Sequence, residues 1–282
     1  MSAEHIGVLH PGEMGSSVAG ALRAAGNRVC WASAGRSTAT AERAARIGLE
    51  DAGALDQLAA RCAVIVSVCP PHAAEEVSEQ VIATGFRGLY LDANAIAPQR
   101  VVRMAARMAE AGIAFVDGSI IGPPAWQPGT TWLHLSGAEA ERIAACFAGG
   151  PMQAAVLGAE PGAASALKMC YAAYTKGSTA LLAAILGTAE ALGVREALYR
   201  QWQADGSGLD QAAPERARRV TAKAWRFVGE MEEIAATFGA AGLPDGFHLA
   251  AAEVYRRLAP LRPTGSPPPL EEALAALLKA TD

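Results

Sequence analysis

The sequence predicts an α/β fold, a doubly wound parallel sheet followed by an all-helical region that is entered through one long helix. Two observations predict it. Short β-branched runs, HIGVL (5–9), NRVCW (27–31), AVIVSVC (63–69), GLYLDA (88–93) and IAFVDG (113–118), alternate with alanine-rich helical patterns in the first half of the chain. Past Gly162 such runs stop and the pattern is helical to the end. Strands that alternate with helices are joined by right-handed crossovers into a parallel sheet.

In chain order, the first strand runs into HPGEMG (10–15) and a helix, and the second ends in CWASAGRST (30–38). Helices open near Gly15, Thr38, His72 and Pro98. TTWLHLSG (130–137) and MQAAVLG (152–158) flank a further helix and carry the sheet to about residue 158. The helical stretch from Ala163 to about Leu192 exceeds the usual helix length and reads as a spine between two domains, 1–160 and 161–282. Amphipathic helices from Arg195 to Leu258, a proline-rich APLRPTGSPPP (259–269) and a terminal helix LEEALAALLKA (270–280) complete the chain.

Composition limits the partners. The 282 residues are 51% hydrophobic and 18% charged, with a formal net charge of -4, so a large core is expected. No dense Lys/Arg run offers a footprint for nucleic acid or an anionic membrane, which points to a small-molecule ligand. The five cysteines are scattered and odd in number, which fits a reducing compartment rather than a disulfide framework or a zinc site. No basic leader precedes the first strand, and the most apolar helical stretch, Gly177 to Ala189, is too short to span a bilayer; a cytoplasmic protein is expected.

HPGEMG bears on the ligand. In a G-x-G-x-x-G loop the first glycine permits the turn, the second lets the backbone approach a pyrophosphate, and the third permits close helix packing. Gly12 and Gly15 supply the second and third, while His10 and Pro11 replace the first glycine and its neighbour. That exchange is tolerable where the turn has negative φ. The helix N-terminus beyond, from Glu13 and Met14, can still offer free N–H groups to a diphosphate. No carboxylate ends the second strand; Ser33, Arg36 and Ser37 stand there, and Arg36 could grip a 2′-phosphate, so NADP (NADPH) is expected over NAD.

The segments IGVLHPGEMGSSVA (6–19), IVSVCPP (65–71), LDANAIAP (91–98), FVDGSIIGPP (115–124) and GAASALKMCYAAYTKG (162–177) occur in the order of a known family. From His5 to about Leu258 the chain resembles the β-hydroxyacid dehydrogenase superfamily, which includes 3-hydroxyisobutyrate and 6-phosphogluconate dehydrogenases. It looks most like the compact bacterial branch with a phosphogluconate-dehydrogenase-like C-terminal domain. The resemblance implies an NADP-binding Rossmann domain, a helical second domain and an active-site cleft between them. It implies cofactor contacts from Cys69, Pro70 and Asn94, and it puts the catalytic lysine at Lys168.

Helical spacing agrees with that lysine, because Lys168, Tyr171, Ala172 and Thr175 share one face. A lysine and a tyrosine in an otherwise apolar helix are costly to bury without a purpose. Departures from the family pattern are also visible. Ala172 stands where an asparagine is common, so that hydrogen bond comes from elsewhere, with Tyr171 the natural candidate and Asn94 the alternative, or is absent; Asn94 replaces a serine; Ile121 and Pro123 flank Gly122 where a serine and a glycine are usual. These changes leave a more apolar pocket than a small carboxylate would want.

His72 and His134 read as structural, and His248 as a core or surface residue. Glu230, Glu232 and Glu233 read as a solvated helix face rather than a metal site, and no metal is expected. The expected function is hydride transfer between nicotinamide and a carbonyl–alcohol pair of the hydroxyacid type, with Lys168 as general acid/base. The rival readings are an imine reductase and a non-catalytic NADP-binding regulator. STALLAAIL (178–186), apolar on more than one face, predicts a homodimer built on the helical half.

Overall fold

The computed structural model describes residues 4–263 and 265–279. Its N-terminal part is one eight-stranded sheet built from β1 (His5–Val8), β2 (Arg28–Ala32), β3 (Glu50–Gly53), β4 (Val64–Ser67), β5 (Leu89–Asp92), β6 (Ala114–Ile121), β7 (Trp132–Ser136) and β8 (Gln153–Gly158). The spatial order is β3-β2-β1-β4-β5-β6-β7-β8. Pairing is parallel from β3 to β6, β7 runs antiparallel to β6, and β8 is parallel to β7. The first six strands thus have the order of a doubly wound nucleotide-binding sheet, with its switch point between β1 and β4.

Strand chemistry explains the layering. The β4 and β5 side chains, VIVS and LYLD, are buried throughout, as central parallel strands covered on both faces require. Val64 and Val66 enter one core with Ile6, Val8, Leu22 and Leu91, while Ile65 enters the opposite core with Leu58, Tyr90, Met104 and Met108. Successive strand residues point to opposite faces, so one run feeds two layers. The helices of those layers are α1 (Glu13–Ala24), α2 (Thr38–Arg46), α3 (Leu55–Arg61), α4 (Ala74–Ala83), α5 (Pro98–Glu110) and α6 (Ala140–Cys146). Sequence patterning did not single out β3 and α3: EDAG is a four-residue edge strand with two acids and no β-branched residue, and Ala52 alone is buried.

The long helix is α7 (Ala163–Ala191), and its start is fixed by one side chain of the sheet. Asp117, fully buried on β6, accepts from the N–H of Gly162 (3.0 Å) and of Ser165 (3.0 Å), and from the Ser165 hydroxyl (2.7 Å). Ser136 on β7 donates to the same carboxylate (3.0 Å) and accepts from the Ala164 N–H (3.1 Å). A carboxylate at a helix N-terminus satisfies amides that have no intrahelical partner and meets the positive end of the helix dipole. Burial pushes the Asp117 carboxyl above its usual range, and these donors oppose that shift.

The chain forms two compact units, Met1–Met169 and Cys170–Asp282, so the division falls inside α7. In the second unit the rest of α7 is joined by α8 (Arg195–Ala204), α9 (Leu209–Val220), α10 (Ala224–Ala240), α11 (Gly246–Leu258) and α12 (Leu270–Leu278). There Glu230 departs from the solvated role expected of it: it is 7% exposed and holds Lys176 (2.5 Å) and Arg226 (3.2 Å). Arg216 ties α9 to α7 through Ser178 (2.7 Å) and Thr179 (2.6 Å). His248 is a core residue against the Phe238 ring. Among the described residues no helix is long and apolar enough to cross a membrane.

Asp117→Ala leaves four buried donors unpaired and uncaps α7, at a cost of about 3 kcal/mol. We expect a lower urea midpoint together with faster amide hydrogen exchange at Gly162, Ala164 and Ser165. An unchanged midpoint would show that the cap contributes little.

Candidate functional site

The C-terminal ends of the parallel strands carry the site. After β1 the chain turns at His10 and Pro11, where the Gly12 N–H donates to the His10 carbonyl (2.8 Å), and Gly12 becomes the N-cap of α1 with φ -70°. Neither His10 nor Pro11 has a positive φ, which is why the turn forms without a first glycine. The two glycines that remain differ. A Cβ on Gly15 would sit 2.0 Å from the His10 carbonyl oxygen, so Gly15 is required for the close approach of α1 to the turn. A Cβ on Gly12 would meet nothing within 4 Å, and no side chain caps α1. The bare face of Gly12 and the first-turn amides of Glu13, Met14 and Gly15 therefore form an open helix end suited to a diphosphate.

His10, Arg36 and Cys69 come together over this turn. Burial first, and the Arg36 charge second, push the His10 imidazole down to about 4, so it is neutral at physiological pH. Its Nδ1 is buried with no hydrogen-bond partner. Burial draws the Arg36 guanidinium below its usual range, and Cys69 is pushed up to about 11, again chiefly by burial. A partly desolvated arginine beside a neutral histidine and a protonated thiol is a place for an anion.

The other expected cofactor residues divide. Ser37 caps α2, accepting from the Thr40 N–H (3.3 Å) with its hydroxyl 3.0 Å from that of Thr40. Ser33 is hydrogen-bonded to Asp51, a carboxylate supplied by β3, which also accepts from the Gly53 N–H (2.8 Å). An acid therefore does stand beside the end of β2, brought by its neighbour strand. Pro70 is exposed and opens a short helical turn after β4. Asn94 is 3% exposed and committed: it accepts from the Cys69 N–H (2.6 Å) and donates to Asp92 (2.8 Å) and Ser67 (3.2 Å). It joins the loops after β4 and β5 and shapes the floor of the site. Asp92, wholly buried beneath it, is pushed up to about 7, mainly by burial.

Lys168 lies on the second turn of α7, its ammonium donating to the Ile120 carbonyl of β6. Strand β5 pairs with β6 only as far as Asp117, so the edge of β6 beyond it is open on that side and within reach of the lysine. His134, read from sequence as structural, is cross-strand from Ser119, and its imidazole is held below its usual value by burial and then by the Lys168 charge. Tyr171, one turn beyond Lys168, is half exposed, and Ala172 is buried. His72 is exposed. Among the described residues no cluster of His, Cys, Asp and Glu could hold a metal.

Sequence reasoning missed Asp51, Asp117 and Arg43, the last donating to the Pro11 carbonyl (3.2 Å). Asp51 is made relevant only by strand pairing, which no linear spacing reveals. An acid within the apolar run AFVDGSII was the available signal for Asp117.

Comparison with known proteins places this geometry. Residues 5–147 match the model of the NAD binding domain of 6-phosphogluconate dehydrogenase, and residues 189–258 match a domain of unknown function (DUF1932). No curated protein matches the sequence. The conserved protein MTH1747 of unknown function, described as structurally similar to 3-hydroxyacid dehydrogenases, is 27% identical, with a TM-score of 0.69 over 98% of this chain and 100% of its own. A conserved hypothetical protein from Sinorhizobium meliloti 1021 is 26% identical, with a TM-score of 0.72 over 98% and 96%. The Mycobacterium tuberculosis 3-hydroxyisobutyrate dehydrogenase shares the fold at 17% identity and a TM-score of 0.72, over 98% and 100%. The chain belongs to the family defined by the NAD binding domain of 6-phosphogluconate dehydrogenase.

Proposed function

We propose that the chain is an NADP-dependent oxidoreductase that interconverts a carbonyl and an alcohol of the hydroxyacid type in the cytoplasm. The observation that carries this reading is Gly12, whose open face at an uncapped helix N-terminus answers no need of the fold and leaves room for a pyrophosphate. The amides of Glu13, Met14 and Gly15 would hold that group, with Arg36 and Ser37 at the 2′-phosphate. Bound there, the nicotinamide supplies or accepts the hydride.

Lys168 supplies the proton. Reduction of a carbonyl leaves charge on oxygen, and an ammonium held at a fixed carbonyl can protonate it; in the reverse direction the amine removes the alcohol proton. Arginine could not serve, since it stays charged. The Tyr171 hydroxyl, one turn on and half exposed, is the second donor. Ile121, where a serine is usual, favours a substrate with an apolar substituent next to the reacting carbon. The helical unit leaves Leu181, Leu192 and Tyr174 exposed (46%, 71% and 77%), and a homodimer would cover such residues.

Three outcomes are expected. Gly12→Val, whose added Cβ meets open space, stays folded at a small capping cost but abolishes NADPH binding by calorimetry; retained binding would remove the diphosphate role of the loop. In NADPH oxidation against a panel of oxo acids, aldehydes and ketones, with and without an amine to form imines, Lys168→Met lowers turnover by about a hundredfold or more while NADPH affinity stays. Wild-type turnover in that variant contradicts the mechanism, and activity confined to the amine arm supports imine reduction instead. Light scattering at micromolar concentration should report a dimer, and a monomer would refute the proposed assembly.

A further inference from the structure

Cys30 and Cys62 lie 32 positions apart, and neither belongs to the segments that resemble the family. Cys30 is fully buried on β2, and Cys62, the C-cap of α3, is 8% exposed. A glycine brings them together. In the sheet Gly7 on β1 stands beside Cys30, and a Cβ on Gly7 would lie 2.4 Å from Leu58 Cδ2, so a bare backbone there lets α3 come down onto β1. The Cys62 N–H donates to the Leu58 carbonyl (3.1 Å), which fixes the end of that helix. The two sulfurs are then 3.2 Å apart, in the core that contains Leu58, Ile65 and Tyr90. A disulfide bond is about 2 Å long, so joining them asks for a movement of roughly 1 Å in all. Buried cysteines are usually inert because burial suppresses the thiolate. Here the hydrogen bond from Cys62 draws the Cys30 thiol down against the opposing effect of burial, while the same hydrogen bond and then burial push Cys62 up. Charge on the pair therefore rests on Cys30.

We propose that Cys30 and Cys62 form a modification site, a dithiol that a hydroperoxide converts reversibly into a disulfide. The inference stands apart from the proposed oxidoreductase function. Hydrogen peroxide is small enough to approach past Cys62, the more exposed of the two. The Cys30 thiolate attacks one peroxide oxygen and the O–O bond breaks. Hydroxide leaves and takes up the proton that the pair had released, and Cys30 becomes a sulfenic acid. The Cys62 sulfur then attacks the Cys30 sulfur, the S–O bond breaks, and the hydroxyl leaves with the Cys62 proton as water. Two electrons pass from the thiols to the peroxide, and two waters form. A thiol reductant reverses the change by exchange. The bridge closes the segment from β2 to the end of α3, which contains α2, β3 and the residues Ser33, Arg36, Ser37 and Asp51. Closing a long loop constrains the unfolded chain, so the oxidised protein resists unfolding more than the reduced one.

The test treats the full reduced chain with hydrogen peroxide, blocks the remaining thiols with an alkylating reagent and digests it with trypsin without reductant. Cleavage after Arg28, Arg36, Arg61 and Arg87 releases residues 29–36, with Cys30 alone, and residues 62–87, with Cys62 and Cys69. In a Cys69→Ser variant Cys62 is the only cysteine of the second peptide. Mass spectrometry should find the two peptides joined in the wild type and in Cys69→Ser, and separated again by dithiothreitol. Peroxide should also raise the urea midpoint of the wild type relative to that of Cys62→Ser treated in the same way. Residues 29–36 recovered unlinked, with Cys30 alkylated or carrying oxygen, would overturn the proposal. A link present in the wild type and lost in Cys69→Ser would move the bridge to Cys69 and overturn it as well. Joined peptides with no rise in the midpoint would overturn the constraint on unfolding.

Discussion

One buried carboxylate, Asp117, joins the sheet to the helix that carries Lys168. It spends both oxygens on the start of α7 and on Ser136, and three residues after Ser165 the lysine reaches the carbonyl of Ile120 on the same strand. A helix held at its first amides cannot slide or rotate by a residue without breaking those bonds. The position of the lysine relative to β6 is therefore set by hydrogen bonds of 2.7–3.0 Å rather than by apolar packing alone. Burying a charge is expensive, and four donors offset that cost here.

The phosphate loop solves a second constraint differently from the glycine-rich form. Its turn has no positive φ at His10 or Pro11, so a histidine and a proline are admissible there. What cannot be relinquished is Gly15, because the His10 carbonyl occupies the place of its Cβ, whereas Gly12 leaves an open side at the uncapped start of α1. Replacing the first glycine also has an effect of its own: it introduces an imidazole that burial and Arg36 keep neutral, and it leaves the Pro11 carbonyl for Arg43 to hold.

Much of this was legible in the sequence, for reasons that differ by element. The β4 and β5 runs and the 29-residue α7 follow from apolar patterning, because their burial is local in cause. Strand β3 escaped because it is stabilised by pairing with β2 rather than by its own residues. Gly12 and Gly15 were singled out from motif spacing and Lys168 from the family resemblance, and each lies where strand and helix patterning put it. Asp51, Arg43 and the closeness of His134 to Lys168 depend on strand register and on which helix face meets which loop, and these are long-range outcomes. Glu230 misled for the same reason: three acids in four residues suggest a solvated face, but Lys176 and Arg226 take one of them inward.

On the function proposed above, the ends of β1, β2 and β4 hold a phosphorylated dinucleotide whose reactive end is served by Lys168. A crystal structure of the chain grown with NADPH tests this most directly. The pyrophosphate is expected over Gly12 on the amides of Glu13 to Gly15, the adenosine phosphate at Arg36, and the nicotinamide on the Lys168 side of the sheet. A cofactor bound elsewhere, or one seated in the loop with its nicotinamide turned away from Lys168, would contradict it.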